Sequence, residues 1–181
     1  MRKIAILLLV AAVSAFGDTT SVKLGPHGTL AIDVPAEWRF TSVESPLGGC
    51  IIKVEAKDDI RSEVKIVVFY CPKPTPIDPL RLRTALERSS SEFIKGSVEG
   101  KLEIRSFGLS TGYGEYGVFT EKALVGKRAI KAGQFKYVAP GVIQLTEEVI
   151  VGTTIFGDDP HDVTSSKIME MLSTMTISPR E

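Results

Sequence analysis

Asparagine is missing from this chain altogether, and its 181 residues include only two histidines, two cysteines and one tryptophan. The first absence excludes N-linked glycosylation, which needs an Asn acceptor. The scarcity of histidine and cysteine removes the usual transition-metal sites, since His27 and His161 each stand without a partner at zinc spacing. No G-x-S-x-G elbow is present to expose a serine nucleophile. An excess of one charge is missing too. Twenty-two basic residues balance 22 acidic ones, so no overall electrostatic footprint for nucleic acid exists. Beyond Val13, no apolar run approaches the length of a membrane-spanning helix.

What is present begins at the first residue. Arg2 and Lys3 precede an unbroken apolar run from Ile4 to Val13, and Ser14-Ala15-Phe16-Gly17 then supplies small residues before Asp18. A basic start, a short apolar stretch and a small-residue cleavage site predict a secretory signal peptide over 1–17, which leaves a single domain over 18–181. The apolar run is about half of the roughly 20 residues that span a bilayer. Without Arg2 and Lys3 the mature chain has two more acids than bases. No cysteine stands at the junction to carry a lipid anchor. The expectation is a soluble periplasmic or secreted protein with no integral membrane segment.

Along the mature chain, residues 29–34 alternate apolar and polar as a half-buried strand does, and Pro35 stops them before Trp38. Strands are expected over 50–57 and 64–70. Four prolines between 72 and 79 then make a stiff connector. Asp78 and Pro79 form the N-cap and first position of a helix. Its apolar face reads Leu82, Ala85, Leu86, Ser89 and Phe93, and Gly96 ends it. Strands are predicted again over 102–107 and 118–125. Residues 134–138 and 142–151 read as a hairpin around Ala139-Pro140-Gly141, whose Pro and Gly suit a type II turn. Asp159-Pro160 opens a last helix with Thr164, Ile168, Met171, Leu172 and Met175 on one face. Hairpin-length links imply an α+β fold, a mostly antiparallel sheet flanked by two helices.

An exported chain with an even cysteine count invites a disulfide. Pairing Lys57 with Val64 across the hairpin sets Cys50 opposite Cys71, with Cys50, Ile52, Val54, Val67 and Phe69 on one face. The alternative is two buried free thiols. Gly112-Tyr113-Gly114-Glu115-Tyr116-Gly117 matches G-x-G-x-x-G, but a nucleotide site needs a helix N-terminus after it, and a strand-like segment follows instead. The stretch therefore reads as a glycine-rich hairpin loop with no cofactor, whose Tyr113 and Tyr116 offer an aromatic binding edge. Trp38 reads as a core lid first and a ligand platform second. Asp158, Asp159 and Asp162 beside His161 have a sufficient role at the positive end of a helix dipole. No catalytic residue, metal or cofactor is assigned.

Leu30-Ala31-Ile32-Asp33-Val34-Pro35-Ala36-Glu37-Trp38 resembles the opening of PsbP-like and DcrB-like proteins, a strand closing in Val-Pro-x-x-Trp. Residues 168–177 resemble their last helix and closing strand. The resemblance covers about residues 29–178 and implies a PsbP-like α/β/α sandwich. It also implies a non-catalytic accessory or binding protein of an export compartment, whose partner is an envelope protein. A periplasmic carrier of a small molecule or lipid is the alternative.

Overall fold

The computed structural model describes residues 17–45, 48–57 and 61–179; the expected leader lies outside them except for Gly17. Among these residues the order is β1 (Thr19–Lys23), β2 (Thr29–Asp33), β3 (Trp38–Glu44), β4 (Cys50–Ala56), β5 (Glu63–Tyr70) and α1 (Pro79–Gly96). The short strands β6 (Arg105–Ser106), β7 (Tyr113–Tyr116) and β8 (Phe119–Thr120) follow. Then come β9 (Tyr137–Gln144), β10 (Val149–Gly157), α2 (Val163–Ser173) and β11 (Thr176–Ser178). One sheet runs β1-β2-β11; the larger runs β3-β4-β5-β10-β9-β7-β6, with β8 also beside β9. Every strand pairing described is antiparallel. The α+β expectation therefore holds, with a second small sheet added.

Two-residue periodicity sets the layers. Leu30 and Ile32 of β2, Ile52 and Val54 of β4, Val64, Ile66 and Val68 of β5, and Val149, Val151 and Ile155 of β10 are all buried. They meet Ile168, Met171, Leu172 and Met175 from α2 and its C-terminal turn in one core between the two sheets. On the outer face of the large sheet, α1 packs Leu82 and Leu86 against Val142. That helix lies over β7 and β9. Among the described residues the outer face of β3, β4 and the end of β5 carries no helix, and Val43 and Phe69 there are 61% and 49% exposed.

Local signals explain where the helices start. Asp78 accepts hydrogen bonds from the Leu80 and Arg81 amides, and Pro79 fills the first position, as expected. The buried stripe is Leu82, Leu86 and Ser90; Ala85 and Ser89 face solvent. In the last helix the cap is Asp162, which accepts from the Ser165 amide at 2.6 Å, while Asp159 caps the turn before it.

The hairpin expected around residues 139–141 does not form. Strand β9 runs straight through Ala139-Pro140-Gly141, and the reversal falls at residues 145–148. Proline is tolerated here for a specific reason. Gly117 donates its N–H to the Pro140 carbonyl at 3.0 Å. The N–H and C=O of one residue in an antiparallel strand point the same way, so the missing donor faces Gly117 at the break between β7 and β8, outside the paired residues of either strand. Gly141 is required by packing, because a Cβ there would lie 2.8 Å from the Phe107 ring.

The expected pairing of Cys50 with Cys71 is also corrected. Cys50 lies opposite Val68, Ile52 opposite Ile66 and Val54 opposite Val64. This register buries three apolar pairs, whereas the expected one would have drawn Lys65 into the core. Cys71 falls past the end of β5, and both cysteines are free. On the outer face the same register sets Lys53 opposite Lys65 and Glu55 opposite Glu63. Like charges face each other, but Lys53 Nζ lies 2.5 Å from Glu55 and 3.0 Å from Glu63, so the ladder neutralises itself. The bonds from Glu55 and then Glu63 raise the Lys53 pKa accordingly.

Candidate functional site

Strand register brings together residues that are distant in the chain. Phe119 of β8 lies opposite Val138 of β9, which lies opposite Phe156 of β10. These three form the floor of a cleft of about 240 Å³ on the outer face of the large sheet, where α1 ends. The last turns of α1 form one wall with Glu92, Phe93 and Gly96; Phe135 stands opposite, and Glu121 closes the rim. Two ring pairs frame the space. Phe93 stacks on Phe119 with centroids 6.0 Å apart, and Phe135 leans on Phe156 at 5.1 Å.

The segment after α1 holds this geometry. Val98 donates its amide to the Thr120 carbonyl at 2.8 Å. The Glu99 carboxylate accepts from the Thr120 amide at 2.8 Å and from its hydroxyl at 2.7 Å. Burial raises the Glu99 carboxyl, but those bonds outweigh it and hold the group below its usual range. Glu121 accepts from the Ala123 amide through one carboxylate oxygen at 3.2 Å. Among the described residues neither Glu92 nor Glu121 pairs with a basic side chain. Lys65 Nζ sits 5.2 Å from the centroid of Phe156.

The residues singled out in the sequence lie elsewhere. Trp38 is buried in the main core at the start of β3. Tyr113 and Tyr116 occupy opposite faces of β7 and form no common edge. Tyr113 packs near α1 and donates its hydroxyl to Glu115 at 2.7 Å, while Tyr116 meets Phe107 at 4.7 Å between centroids. The hexapeptide that holds them is a strand, not a loop, and its glycines answer to packing. A Cβ on Gly112 would stand 2.3 Å from the Gln144 carbonyl oxygen, and one on Gly117 2.2 Å from Leu102. Its central Glu115 is buried and clamped by Arg83 of α1. Asp158, Asp159 and Asp162 gather no metal set: among the described residues, no group of three or more His, Cys, Asp or Glu side chains could hold an ion.

Of the cleft's rings, Phe93 is expected on a core-facing helix face and Phe119 and Phe135 within strands, and Phe156 falls in no expected element. A usable signal was available in β10. There, buried Val149, Val151, Thr153 and Ile155 alternate with outward positions, and Phe156 is an aromatic on the outward set. A large ring on the solvent side of a regular strand needs a neighbour or a ligand.

Among the described residues no helix is long and apolar enough to cross a membrane. No protein-family model matches the chain, and no curated protein matches it either. A crystal structure at 1.50 Å of a protein from Bacteroides thetaiotaomicron VPI-5482 is similar in fold, with a TM-score of 0.51 and 9% sequence identity. The match covers 91% of this chain and 49% of that one, so this chain spans about half the length of its structural neighbour. At that identity the likeness is one of fold alone.

Proposed function

We propose that this protein is an exported, non-catalytic binding protein of the cell envelope, built on a PsbP-like α/β/α sandwich, with residues 1–17 as a removable leader. The observation that carries the reading is the aromatic cleft at the end of α1. Concave, ring-lined sites with a few polar groups are the usual form of a ligand site. Its lining offers rings, an aliphatic side chain, hydroxyls and carboxylates, a set that suits retention and release of a ligand. Helix α1 on the outer face and α2 on the inner one support the sandwich. At about 240 Å³ the space suits a small molecule better than a lipid chain.

Native mass spectrometry of the product recovered from the envelope fraction of its host tests this reading. The expected species begins at Asp18 and retains a small molecule that Phe156→Ala loses. A product that keeps residues 1–17 in the cytoplasm overturns export, and one that never carries a ligand overturns the carrier form. A second reading, an accessory protein that docks on an envelope partner, is favoured by the open sheet face. Val43 lies opposite Ile51, and Ile51 opposite Val67, with exposed Phe69 beside them. Contiguous exposed apolar side chains of this kind mark interaction surfaces. Replacing Val43 and Phe69 by Ser would then abolish partner capture and leave ligand retention intact.

A further inference from the structure

Resting on the reading of the cleft as a ligand site, we propose that its ligand is a small organic cation, an alkylated ammonium. Phe93, Phe135 and Phe156 border the space above a buried Phe119, and aromatic faces carry the negative end of the ring quadrupole. A cation over such faces is attracted by roughly 0.5–1 kcal/mol at an exposed ring and by more as it is desolvated. One ring already has a cation near it: Lys65 Nζ lies 5.2 Å from the Phe156 centroid while paired with Glu63 at 3.3 Å.

Charge at the rim selects the same class. Glu92 and Glu121 line the cleft without a basic partner among the described residues, and no lysine or arginine lines it. An anionic ligand would meet two carboxylates and no donor cation. A neutral apolar one would gain the ring contacts and nothing from the rim. An alkylated ammonium uses both, with its carbon shell against the rings and its charge shared between them and the carboxylates. The volume of about 240 Å³ lies below the usual range for drug-sized ligands, which limits the cation to a small one.

The test uses protein purified from expression of the full chain and two probes of matched shape, choline and its neutral isostere 3,3-dimethylbutan-1-ol. Binding is followed by NMR through the amide shifts of Thr120 and Val138. Choline is expected to bind at least about fivefold more tightly than the alcohol, the ratio that about 1 kcal/mol of cation attraction gives. The double variant Glu92→Gln/Glu121→Gln should lower choline affinity about fivefold and leave the alcohol unchanged. Both carboxylates are exposed, so folding is not at stake in that variant. Lys65→Met should raise choline affinity by removing a like charge 5.2 Å from the Phe156 ring. Equal affinity for the two probes, or no response of choline to the double variant, overturns the cation while leaving the cleft as a site for a neutral ligand. Failure of both probes to move those amides overturns the cation and the cleft together.

Discussion

The guanidinium of Arg83 on α1 clamps the carboxylate of Glu115 on β7, with Nη2 2.6 Å from Oε1 and Nε 3.3 Å from Oε2. The pair is asymmetric, because Glu115 is 1% exposed and Arg83 46%. Removing the exposed partner strands a buried charge, whereas neutralising the buried one leaves a group that still hydrogen-bonds. Arg83→Ala is therefore expected to lower the midpoint of urea denaturation more than Glu115→Gln does, although Glu115 keeps the hydrogen bond from the Tyr113 hydroxyl in both. The reverse order would mean that water enters to solvate Glu115.

The same pair gives stability a pH dependence. The bond from Arg83 lowers the Glu115 pKa, burial opposes it, and Tyr113 lowers it further. A carboxyl whose folded pKa lies below its unfolded value, near 4.5, contributes fully above that value. The contribution is lost as pH falls through the folded pKa. The stability gap between the native protein and Glu115→Gln should be constant from pH 7 to about pH 5 and shrink below about pH 4.5. A gap that grows on acidification would contradict this.

The glycines of the hexapeptide separate a packing role from a phosphate-binding one. Gly112 has φ +80°, and a Cβ there would meet the Gln144 carbonyl at 2.3 Å; Gly126 has φ +74° with nothing within 4 Å. Gly126→Ala carries only the left-handed backbone cost, about 1–2 kcal/mol. Gly112→Ala adds a clash with fixed backbone and should cost at least about 3 kcal/mol in all. Comparable thermal midpoints for the two variants would show that β7 can move away from β9.

The cysteines test the observed register of β4 and β5. Cys50 is 4% exposed and burial pushes its thiol pKa up, whereas Cys71 is half-buried past the strand end. An alkylating reagent should modify Cys71 in the folded protein and Cys50 only after unfolding, with both thiols titratable under denaturing, non-reducing conditions. Equal protection of the two, or a mass two hydrogens short, would refute this register.

Local chemistry made much of the fold legible. The Asp78-Pro79 start of α1, the strands near 29–34, 50–57 and 64–70, and the apolar face of the last helix follow from short-range rules. What escaped depends on which strands lie side by side. Pro140-Gly141 has turn composition, yet the break between β7 and β8 and the ring of Phe107 make it strand. The alternation from Trp38 to Glu44 is weak because four of its last residues are exposed at a sheet edge. The cleft was hidden for the same reason: Phe93, Phe119, Phe135 and Phe156 belong to four different segments and meet only through pairing and helix placement.

Beside the shared core, one ring contact joins the turn of the small sheet to the large one, and its removal should loosen that part of the molecule selectively. His27, in the turn between β1 and β2, stacks on Tyr70 at the end of β5 with centroids 4.1 Å apart. Its Nδ1 also lies 2.9 Å from Glu148 Oε2 in the turn between β9 and β10. Glu148 is 44% exposed, and an exposed pair of this kind contributes about 0–1 kcal/mol. Ring stacking adds about 0.5–1.5 kcal/mol beyond the area it buries, so the stack is the stronger fastening. His27→Ala should accordingly speed hydrogen exchange at the Leu24 and Gly28 amides and along β1, and leave β10 protected. His27→Phe keeps the stack and loses the bond to Glu148, so it should restore at least half of the lost protection. If His27→Phe exchanges as fast as His27→Ala, the hydrogen bond to Glu148 does the fastening instead.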